Sequence, residues 1–364
     1  MKIALVSLAR RGGMVHFLAE LANALAPLIP TVAVVSASAE LNYLSRKIRR
    51  IEVNTGRNPL HSLLQFLNPV MWTDLLKRLK AEQPDLIHIV GVHEWNPALA
   101  FLCKLLRKPL VYTVHDPEAH PSSPVAIMAG DRITARLANE VVALTWHGRA
   151  VLLSRGFPSS EISVIPHPAY SLFRRWRTRT ARPGHIILHF GRIEAYKGLE
   201  VLVQAFLSVR DRLPEWKLII AGSGPVPASI AMLAGEDITI INRYVPDKEA
   251  ARLVSMASIV ALPYTSATQS GVLALAQAFE RPVVATAVGG LDEMIVQGKT
   301  GILVPPGNVP ALARAIRSLA ADRGRRVRMQ HSIAAVAKTT WNPRGIARKH
   351  VSLYYRVVER RADL

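Results

Sequence analysis

Short blocks of consecutive apolar residues alternate along the chain with longer stretches of helical character, and this alternation restricts the fold more than any other feature. The blocks are continuously apolar, as in the strands of a parallel sheet that helices cover on both faces. The pattern therefore predicts a doubly wound α/β fold. Strands are predicted at 3–8, 32–36, 86–90, 110–114, 141–144 and 162–165, and helices lie between them, for example at 14–28 and 97–106.

The same alternation starts again in the second half of the chain. A length of 364 residues has room for two domains of about 100–200 residues each. We therefore predict two Rossmann-like domains, at 1–170 and 185–340. In the second domain, strands are predicted at 186–190, 218–221, 238–241, 259–262, 283–285 and 302–304, and helices at 199–213, 248–256, 272–279 and 309–319.

Two segments fall outside this alternation. Residues 171–184 contain five arginines, one proline and no acidic residue, which is typical of a linker. Residues 341–364 predict a last helix, which we expect to pack back on the N-terminal domain. Open α/β sheets bind ligands at the carboxyl ends of their strands, so two facing domains predict an active site in the cleft between them.

The charge of the chain narrows the choice of partner. Lysine and arginine number 46 against 26 acidic residues, a formal net charge of +20. Such a protein is attracted to nucleic acid, an anionic membrane or a phosphorylated ligand. No helix-turn-helix, RNA-recognition or zinc-finger pattern is present, which disfavours nucleic acid.

The compartment follows from what the sequence lacks. One cysteine, Cys103, excludes an internal disulfide and a cysteine-built zinc site, and it fits a reducing compartment. No apolar run reaches the ~20 residues that span a bilayer, and the first residues do not form a signal peptide. We therefore expect a cytoplasmic protein.

A basic segment could bring the protein to the inner face of the membrane. Residues 42–51 carry four basic side chains and lead into the leucine-rich stretch 60–71, with Phe66 and Trp72. Basic residues beside exposed aromatic residues favour docking on anionic lipid. A solvated helix face next to an ordinary core is the alternative.

The strongest local motif is FGRIEAYKG at 190–198, which follows a predicted strand and opens a helix. Gly191 permits a tight turn, and Arg192 and Lys197 place two cations at the exit of the strand. A diphosphate suits this loop because helix-terminal amides and the cations share its charge. A solvated basic loop is the alternative.

Other predicted strands also end in residues that can bind ligands. Three loops offer glycines or free amides: AGSGP at 221–225, ATQSG at 267–271 with Ser270 as a helix cap, and RRGG at 10–13. His115 and the pair His93 and Glu94 end two strands of the first domain, where they could donate hydrogen bonds or transfer protons. A structural histidine is the alternative, and it is the interpretation we adopt for His167 in VIPHP.

In their order and spacing these pieces resemble the retaining nucleotide-sugar glycosyltransferases of the GT-B fold, the glycosyl transferases group 1 family. The resemblance covers nearly the whole chain. It is carried by RRGG, TVHD at 113–116, VIPHP at 164–168, FGRIEAYKG, IIAGSGP at 219–225, PVVAT at 282–286, GG at 289–290 and TGILVPPGN at 300–308.

The resemblance implies transfer of a hexosyl group from a nucleotide-diphosphate sugar to a saccharide or lipid-linked saccharide, with retention, in cell-surface polysaccharide or glycolipid biosynthesis. It implies no cofactor and no metal, and no DxD motif is present. We place acceptor contacts at His93 and Glu94. The residues implied as catalytic are His115, Arg192 and Lys197, and those implied as donor-binding are Gly13, Gly222, Tyr244, Val245, Thr268, Gln269, Ser270 and Gly271.

The sequence departs from the family in one place. The family usually carries Glu-x(7)-Glu before its PVVAT-like strand, and an ungapped match puts Ala267 and Leu275 at those positions. Gln269 and Gln277 have the same spacing but need a two-residue deletion, and Gln269 could supply a neutral hydrogen bond. The departure leaves open a catalytically inactive relative that acts as a binding scaffold. A nucleotide-sugar epimerase built from two Rossmann-like domains is a separate alternative.

Overall fold

The computed structural model describes residues 1–118, 124–177 and 184–362. They divide into two compact units, each built on one sheet. Unit 1 comprises Met1–Pro168 and the last helix of the chain, and unit 2 comprises Ala169–Trp341.

Unit 1 contains a seven-stranded parallel sheet with the strand order β3-β2-β1-β4-β5-β6-β7. Its strands are β1 (Ile3–Ser7), β2 (Thr31–Ser36), β3 (Arg49–Val53), β4 (Leu86–Ile89), β5 (Leu110–Val114), β6 (Glu140–Ala143) and β7 (Ile162–Val164). Its helices before the second unit are α1 (Gly13–Leu25), α2 (Pro59–Phe66), α3 (Pro69–Glu82), α4 (Asn96–Leu105), α5 (Val125–Leu137) and α6 (Trp146–Ser154).

Unit 2 contains a six-stranded parallel sheet with the order β10-β9-β8-β11-β12-β13. Its strands are β8 (Ile186–Phe190), β9 (Lys217–Ala221), β10 (Ile238–Ile241), β11 (Ile259–Leu262), β12 (Val283–Thr286) and β13 (Gly301–Val304). Its helices are α7 (Leu199–Leu207), α8 (Ala228–Ala231), α9 (Asp247–Met256), α10 (Gly271–Ala278), α11 (Val309–Ala321) and α12 (Arg323–Thr339).

The prediction of two doubly wound sheets is confirmed. Each sheet reverses its strand order beside its first strand, between β1 and β4 in unit 1 and between β8 and β11 in unit 2. In folds of this kind the loops at the carboxyl ends of these strands form the ligand site. Each unit therefore has one edge at which a ligand site is expected.

The sequence pattern missed strand β3. Its residues RRIEV alternate between exposed and buried, because β3 is an edge strand that pairs only with β2. Exposed edge strands in natural proteins carry charges that discourage pairing with other chains. Part of the basic segment 42–51 is thus an edge strand and not a helix face.

The predicted linker begins as a folded part of unit 2. Ser171–Trp176 forms a 3₁₀ helix in which Phe173 is buried. The Nε of Arg174 donates to the Ala278 carbonyl at 2.7 Å, and Arg174 and Arg177 both form ion pairs with Glu280. Residues 178–183 of the predicted linker lie outside the described residues.

The last helix, α13 (Pro343–Ala362), belongs to unit 1 and packs on α1. Its buried face includes His350, Leu353 and Tyr354. The Tyr354 hydroxyl lies 2.7 Å from Nδ1 of His88 on β4, and Nε2 of His88 lies 2.8 Å from the Thr113 hydroxyl. The helix is therefore attached to the sheet by a buried polar network as well as by apolar packing.

Candidate active site

Three strand-end loops of unit 2 are joined by backbone hydrogen bonds at the carboxyl edge of the sheet. After β8, the amide of Gly191 donates to Ala221 at 3.0 Å, and that of Ile193 donates to Ser223 at 2.9 Å. The amide of Thr265, after β11, donates to the Tyr196 carbonyl at 2.8 Å. The loop 190–198 is thus fixed from both sides, by the loops after β9 and β11.

Two glycines make this close approach possible. A Cβ at Gly222 would lie 1.8 Å from the Gly191 carbonyl oxygen, and one at Gly198 would lie 1.9 Å from that of Pro263. Gly198 also has a φ of +67°, which side chains with a Cβ rarely adopt. Any larger residue at either position would separate the loops that form this edge.

Arg192 extends from this edge into solvent. Its side chain is 72% exposed, and its Nη1 lies 2.8 Å from Oε1 of Glu194. The other carboxylate oxygen of Glu194 is buried and has no hydrogen-bond partner. The carboxylate therefore orients the guanidinium while leaving most of it open to a ligand.

Lys197 is half-buried against two aromatic rings. Its Nζ lies 3.8 Å from the ring centroid of Tyr264 and 4.9 Å from that of Tyr196. Burial lowers the pKa of Lys197, but Tyr264 and Tyr196 outweigh this effect, and the pKa lies above its usual value. The pKa of the buried His189 on β8 is shifted in the opposite direction, because burial and the nearby Lys197 lower it to about 4. Lys197 is therefore charged beside a neutral histidine at neutral pH.

Helix α10 begins beside the same loop. The side chain of Val272, in the first turn of this helix, lies close to Gly191: a Cβ added at Gly191 would be 3.2 Å from it. Ser270 caps the helix, because its hydroxyl accepts from the Leu273 amide at 3.2 Å. Gly271 is the first helical residue, and Thr268 is buried just before it. Free amides of this turn thus lie near the cation-bearing loop, where an anion would be favoured.

The two positions that the ungapped family match assigns to glutamate are apolar core. Ala267 and Leu275 are each 3% exposed and pack in hydrophobic clusters. Gln269 is half-buried, and its Oε1 is enclosed without a hydrogen-bond partner. Gln277 is buried and donates to the Met294 carbonyl at 3.0 Å. Neutral amides, and no carboxylate, are available on this stretch.

The remaining residue pair predicted in unit 2 follows an outer strand. Tyr244 is half-buried and Val245 is buried after β10, which is separated from β8 by β9. The structure thus brings Arg192, Lys197, Gly222 and residues 268–271 to one edge. Tyr244 and Val245 lie farther along the sheet.

The predicted residues of unit 1 follow three adjacent strands, β1, β4 and β5. Gly13 is the exposed first residue of α1. His115 is buried, its Nε2 lies 2.8 Å from the Val90 carbonyl, and its ring meets Phe17 edge-on at 4.8 Å. Burial lowers the pKa of His115, so the imidazole is neutral at neutral pH.

The predicted acceptor residues lie after β4. His93 is half-buried, and burial lowers its pKa to about 4. Glu94 is exposed and accepts a hydrogen bond from the Ser62 hydroxyl. His167, interpreted as structural, is buried with Nδ1 2.7 Å from the Pro168 carbonyl oxygen.

Sequence reasoning included Glu194 and Tyr196 in the motif at 190–198 of unit 2 without giving them a role, and it missed Tyr264. Tyr264 follows β11 within two residues, so its place after a strand was the signal that could have identified it. In the described ranges, no cluster of three or more histidine, cysteine, aspartate or glutamate side chains could hold a metal ion.

Two sequence models of glycosyltransferases match the two halves of the chain. The model described as Glycosyltransferase Family 4 matches residues 11–169, and that described as Glycosyl transferases group 1 matches residues 184–322. The chain is 27% identical over 287 residues to alpha-D-kanosaminyltransferase of Streptomyces kanamyceticus, with coverage of 71% of this chain and 74% of the relative. It is 28% identical over 362 residues to D-inositol 3-phosphate glycosyltransferase of Kribbella flavida, with coverage of 87% and 84%.

Solved structures share the fold. Anabaena HepE in complex with UDP-glucose has a TM-score of 0.74 at 18% identity and covers 100% of both chains. UDP-GlcNAc 2-epimerase from Neisseria meningitidis has a TM-score of 0.64 at 16% identity, with coverage of 97% of this chain and 98% of that chain. At these identities the likeness establishes the fold, and the sequence matches establish the family. This chain belongs to the glycosyl transferases group 1 family and has the GT-B fold.

Proposed function

We propose that this glycosyltransferase moves a hexosyl group from a UDP-sugar to a saccharide or lipid-linked saccharide acceptor, with retention and without a metal. One observation carries the proposal. Arg192, Lys197 and the first amides of α10 lie at one edge of unit 2, where loops after three strands are hydrogen-bonded together. This arrangement of cations and amides suits a diphosphate.

The chemistry follows from where charge develops. Breaking the bond between the sugar and the diphosphate puts negative charge on the leaving diphosphate and positive charge on the sugar ring. Fixed cations and amides bind the first charge more strongly in the transition state than in the ground state. Arg192 and Lys197 supply this charge stabilisation, which is the task that a metal ion performs in other transferases.

The choice of uridine rests on the related proteins. HepE has been solved with UDP-glucose, and the neighbouring epimerase acts on UDP-GlcNAc, as their names state. The name of the kanosaminyltransferase states that a kanosaminyl group is transferred, and that of the other relative names D-inositol 3-phosphate. Of the unit 1 residues, we assign His115 to the donor sugar and His93 and Glu94 to the acceptor.

Thermal unfolding with nucleotides tests the donor site. UDP at about a hundred times its dissociation constant is expected to stabilise the protein by about 2.7 kcal/mol and to raise Tm by about 3–4 °C. UMP lacks the second phosphate and is expected to raise Tm much less. Equal shifts with UDP and UMP would contradict the assigned diphosphate site, and a larger shift with GDP or ADP would replace uridine as the base.

The epimerase alternative is favoured by one observation, the fold that this chain shares with UDP-GlcNAc 2-epimerase from Neisseria meningitidis. A transferase releases UDP only when an acceptor takes the sugar, whereas an epimerase changes the sugar without an acceptor. Measuring UDP release from UDP-sugars with and without a mixture of saccharide acceptors separates the two. Conversion of the sugar without acceptor would overturn transfer.

We also propose that unit 1 docks on an anionic membrane. Five apolar side chains of α2, α3 and the turn between them are more than half exposed: Leu60, Leu63, Leu64, Leu67 and Val70. Helix α3 packs beside β3, whose Arg49 and Arg50 are exposed. Cations next to exposed leucines are complementary to acidic headgroups above acyl chains. In the ranges that the structure describes, no helix is both long and apolar enough to cross a bilayer.

Vesicle sedimentation tests this surface with a matched control. Leu60 and Leu67 are 68% and 66% exposed, and the control pair Phe101 and Leu105 on α4 are each 66% exposed. Changing Leu60 and Leu67 to serine is expected to weaken binding to anionic vesicles at least tenfold, because about 1.5 kcal/mol or more is lost per leucine that would otherwise be buried. The same change at Phe101 and Leu105 is expected to leave binding within twofold. Equal binding to anionic and neutral vesicles would contradict the proposal.

A further inference from the structure

Lys197 has aromatic rings where a buried cation ordinarily has a carboxylate. Within the described part of the chain, no carboxylate lies within ion-pair distance of its Nζ, whereas Arg192 pairs with Glu194 at 2.8 Å. Its Nζ instead lies over two aromatic faces, 3.8 Å from the ring centroid of Tyr264 and 4.9 Å from that of Tyr196. A ring face attracts a cation but does not neutralise it.

Both rings are held in place by the backbone of the site. The Tyr196 carbonyl accepts from the Thr265 amide at 2.8 Å, and the Tyr264 carbonyl accepts from the Thr286 hydroxyl on β12. The two rings meet edge to face with centroids 6.1 Å apart. Tyr264 is fully buried, so its ring cannot turn away without disturbing the core.

We propose that Tyr264 and Tyr196 form an aromatic clamp that positions Lys197 and keeps its charge available for the diphosphate. The clamp rests on the proposed function and deepens it. A carboxylate partner would hold the lysine equally well, but the arriving diphosphate would then have to compete with it. With the clamp, the diphosphate is the first anion that Lys197 meets, and the two tyrosines are positioning residues that act through the lysine.

A ring-deletion series separates this role from ordinary packing. Tyr264→Phe keeps the aromatic face, Tyr264→Leu removes it, and Phe206→Leu makes the same type of core change in a different apolar cluster of unit 2. The readouts are the affinities for UDP and UMP by calorimetry, together with kcat and KM for transfer. A desolvated cation–π contact of about 2 kcal/mol corresponds to about a thirtyfold change.

We expect Tyr264→Leu to weaken UDP binding about tenfold or more and to lower kcat, with UMP binding unchanged. Tyr264→Phe and Phe206→Leu are expected to bind UDP within about twofold of wild type. The clamp is overturned if Tyr264→Leu binds UDP like wild type, if Tyr264→Phe loses as much as Tyr264→Leu, or if UMP binding falls in parallel with UDP binding.

A measurement without nucleotide distinguishes failure of the clamp from failure of the proposed function. In NMR spectra of lysine-labelled protein, the ring currents of Tyr264 and Tyr196 shift the side-chain signals of Lys197 upfield of those of exposed lysines. The full shift is expected in wild type and Tyr264→Phe, and it is expected to be strongly reduced in Tyr264→Leu, where only the more distant Tyr196 ring remains. Its absence in wild type would refute the clamp, whereas a shifted lysine in a protein that does not bind UDP would refute the donor site alone.

Discussion

Replacing Lys197 with alanine is expected to lower turnover about a hundredfold. Removing one fixed donor from a developing anion commonly costs ~3 kcal/mol of transition-state stabilisation, which corresponds to this loss in rate. Lys197→Met retains most of the apolar stem between the two tyrosine rings and is expected to lose as much. Arg192→Ala, at a more exposed and more screened position, is expected to lose at least tenfold.

The control for this prediction is another lysine of the same sheet. Lys217 is exposed at the start of β9, at the amino edge, away from the loops that carry the site. Lys217→Ala is expected to keep wild-type turnover, and thermal unfolding checks that every variant remains folded. Turnover near the wild-type value in both Lys197→Ala and Arg192→Ala would contradict the phosphate role of this edge.

Acid is expected to destabilise the protein at pH values well above those at which most carboxylates titrate. Burial lowers the pKa of His167 to about 3 and, as the leading cause, lowers those of His189 and His350 to about 4. Unfolded histidine titrates near pH 6.5. Below pH 6.5 the unfolded chain therefore binds protons that the folded protein does not, and stability falls as the pH falls towards about 4.

The size of this effect is large compared with ordinary stability. At pH 5 each of these histidines costs about 2 kcal/mol, since one pKa unit is 1.36 kcal/mol. Three of them cost up to about 6 kcal/mol out of a typical total of about 5–15 kcal/mol. Asp131 acts in the opposite direction, because burial raises its pKa to about 6, and it offsets about 1 kcal/mol.

Urea unfolding between pH 8 and pH 5 measures this dependence. The midpoint is expected to be nearly constant above pH 7 and to fall steeply below pH 6.5. His350→Leu removes one buried titrating group, whose Nδ1 lies 3.0 Å from the Ile346 carbonyl oxygen. The slope of stability against pH measures the protons taken up on unfolding, and this number is expected to fall by about one in the variant. A midpoint that does not change between pH 6.5 and pH 5 would contradict the neutral, buried state of these histidines.

The sequence predicted best the elements that are buried on both faces. Leu110–Val114 and Ile186–Phe190 have the bounds that the pattern predicted, because a strand covered by helices on both sides is uniformly apolar. Strand β3 was missed because its exposed edge permits RRIEV, where only Ile51 and Val53 are buried. The sequence showed that residues 60–71 are rich in leucine, but it did not show which leucines of α2 are exposed, since exposure depends on the tertiary packing around them.

A candidate site could be predicted from the sequence, but its internal contacts could not. Motifs at strand ends predicted Arg192, Lys197 and Gly222 as members of one site, because the carboxyl ends of parallel strands share one edge. That Lys197 lies over Tyr264 depends on β11 pairing with β8, and this strand order is a long-range property. Glu194 likewise showed no periodic or motif signal that would separate it from a solvated acid.

A crystal structure of the protein with UDP is the decisive test of the proposed donor site. We expect the second phosphate within hydrogen-bond distance of the Arg192 guanidinium and the Lys197 ammonium, beside the first amides of α10. Electron density for the diphosphate at any other place, with both of these side chains left as they are without ligand, would contradict it.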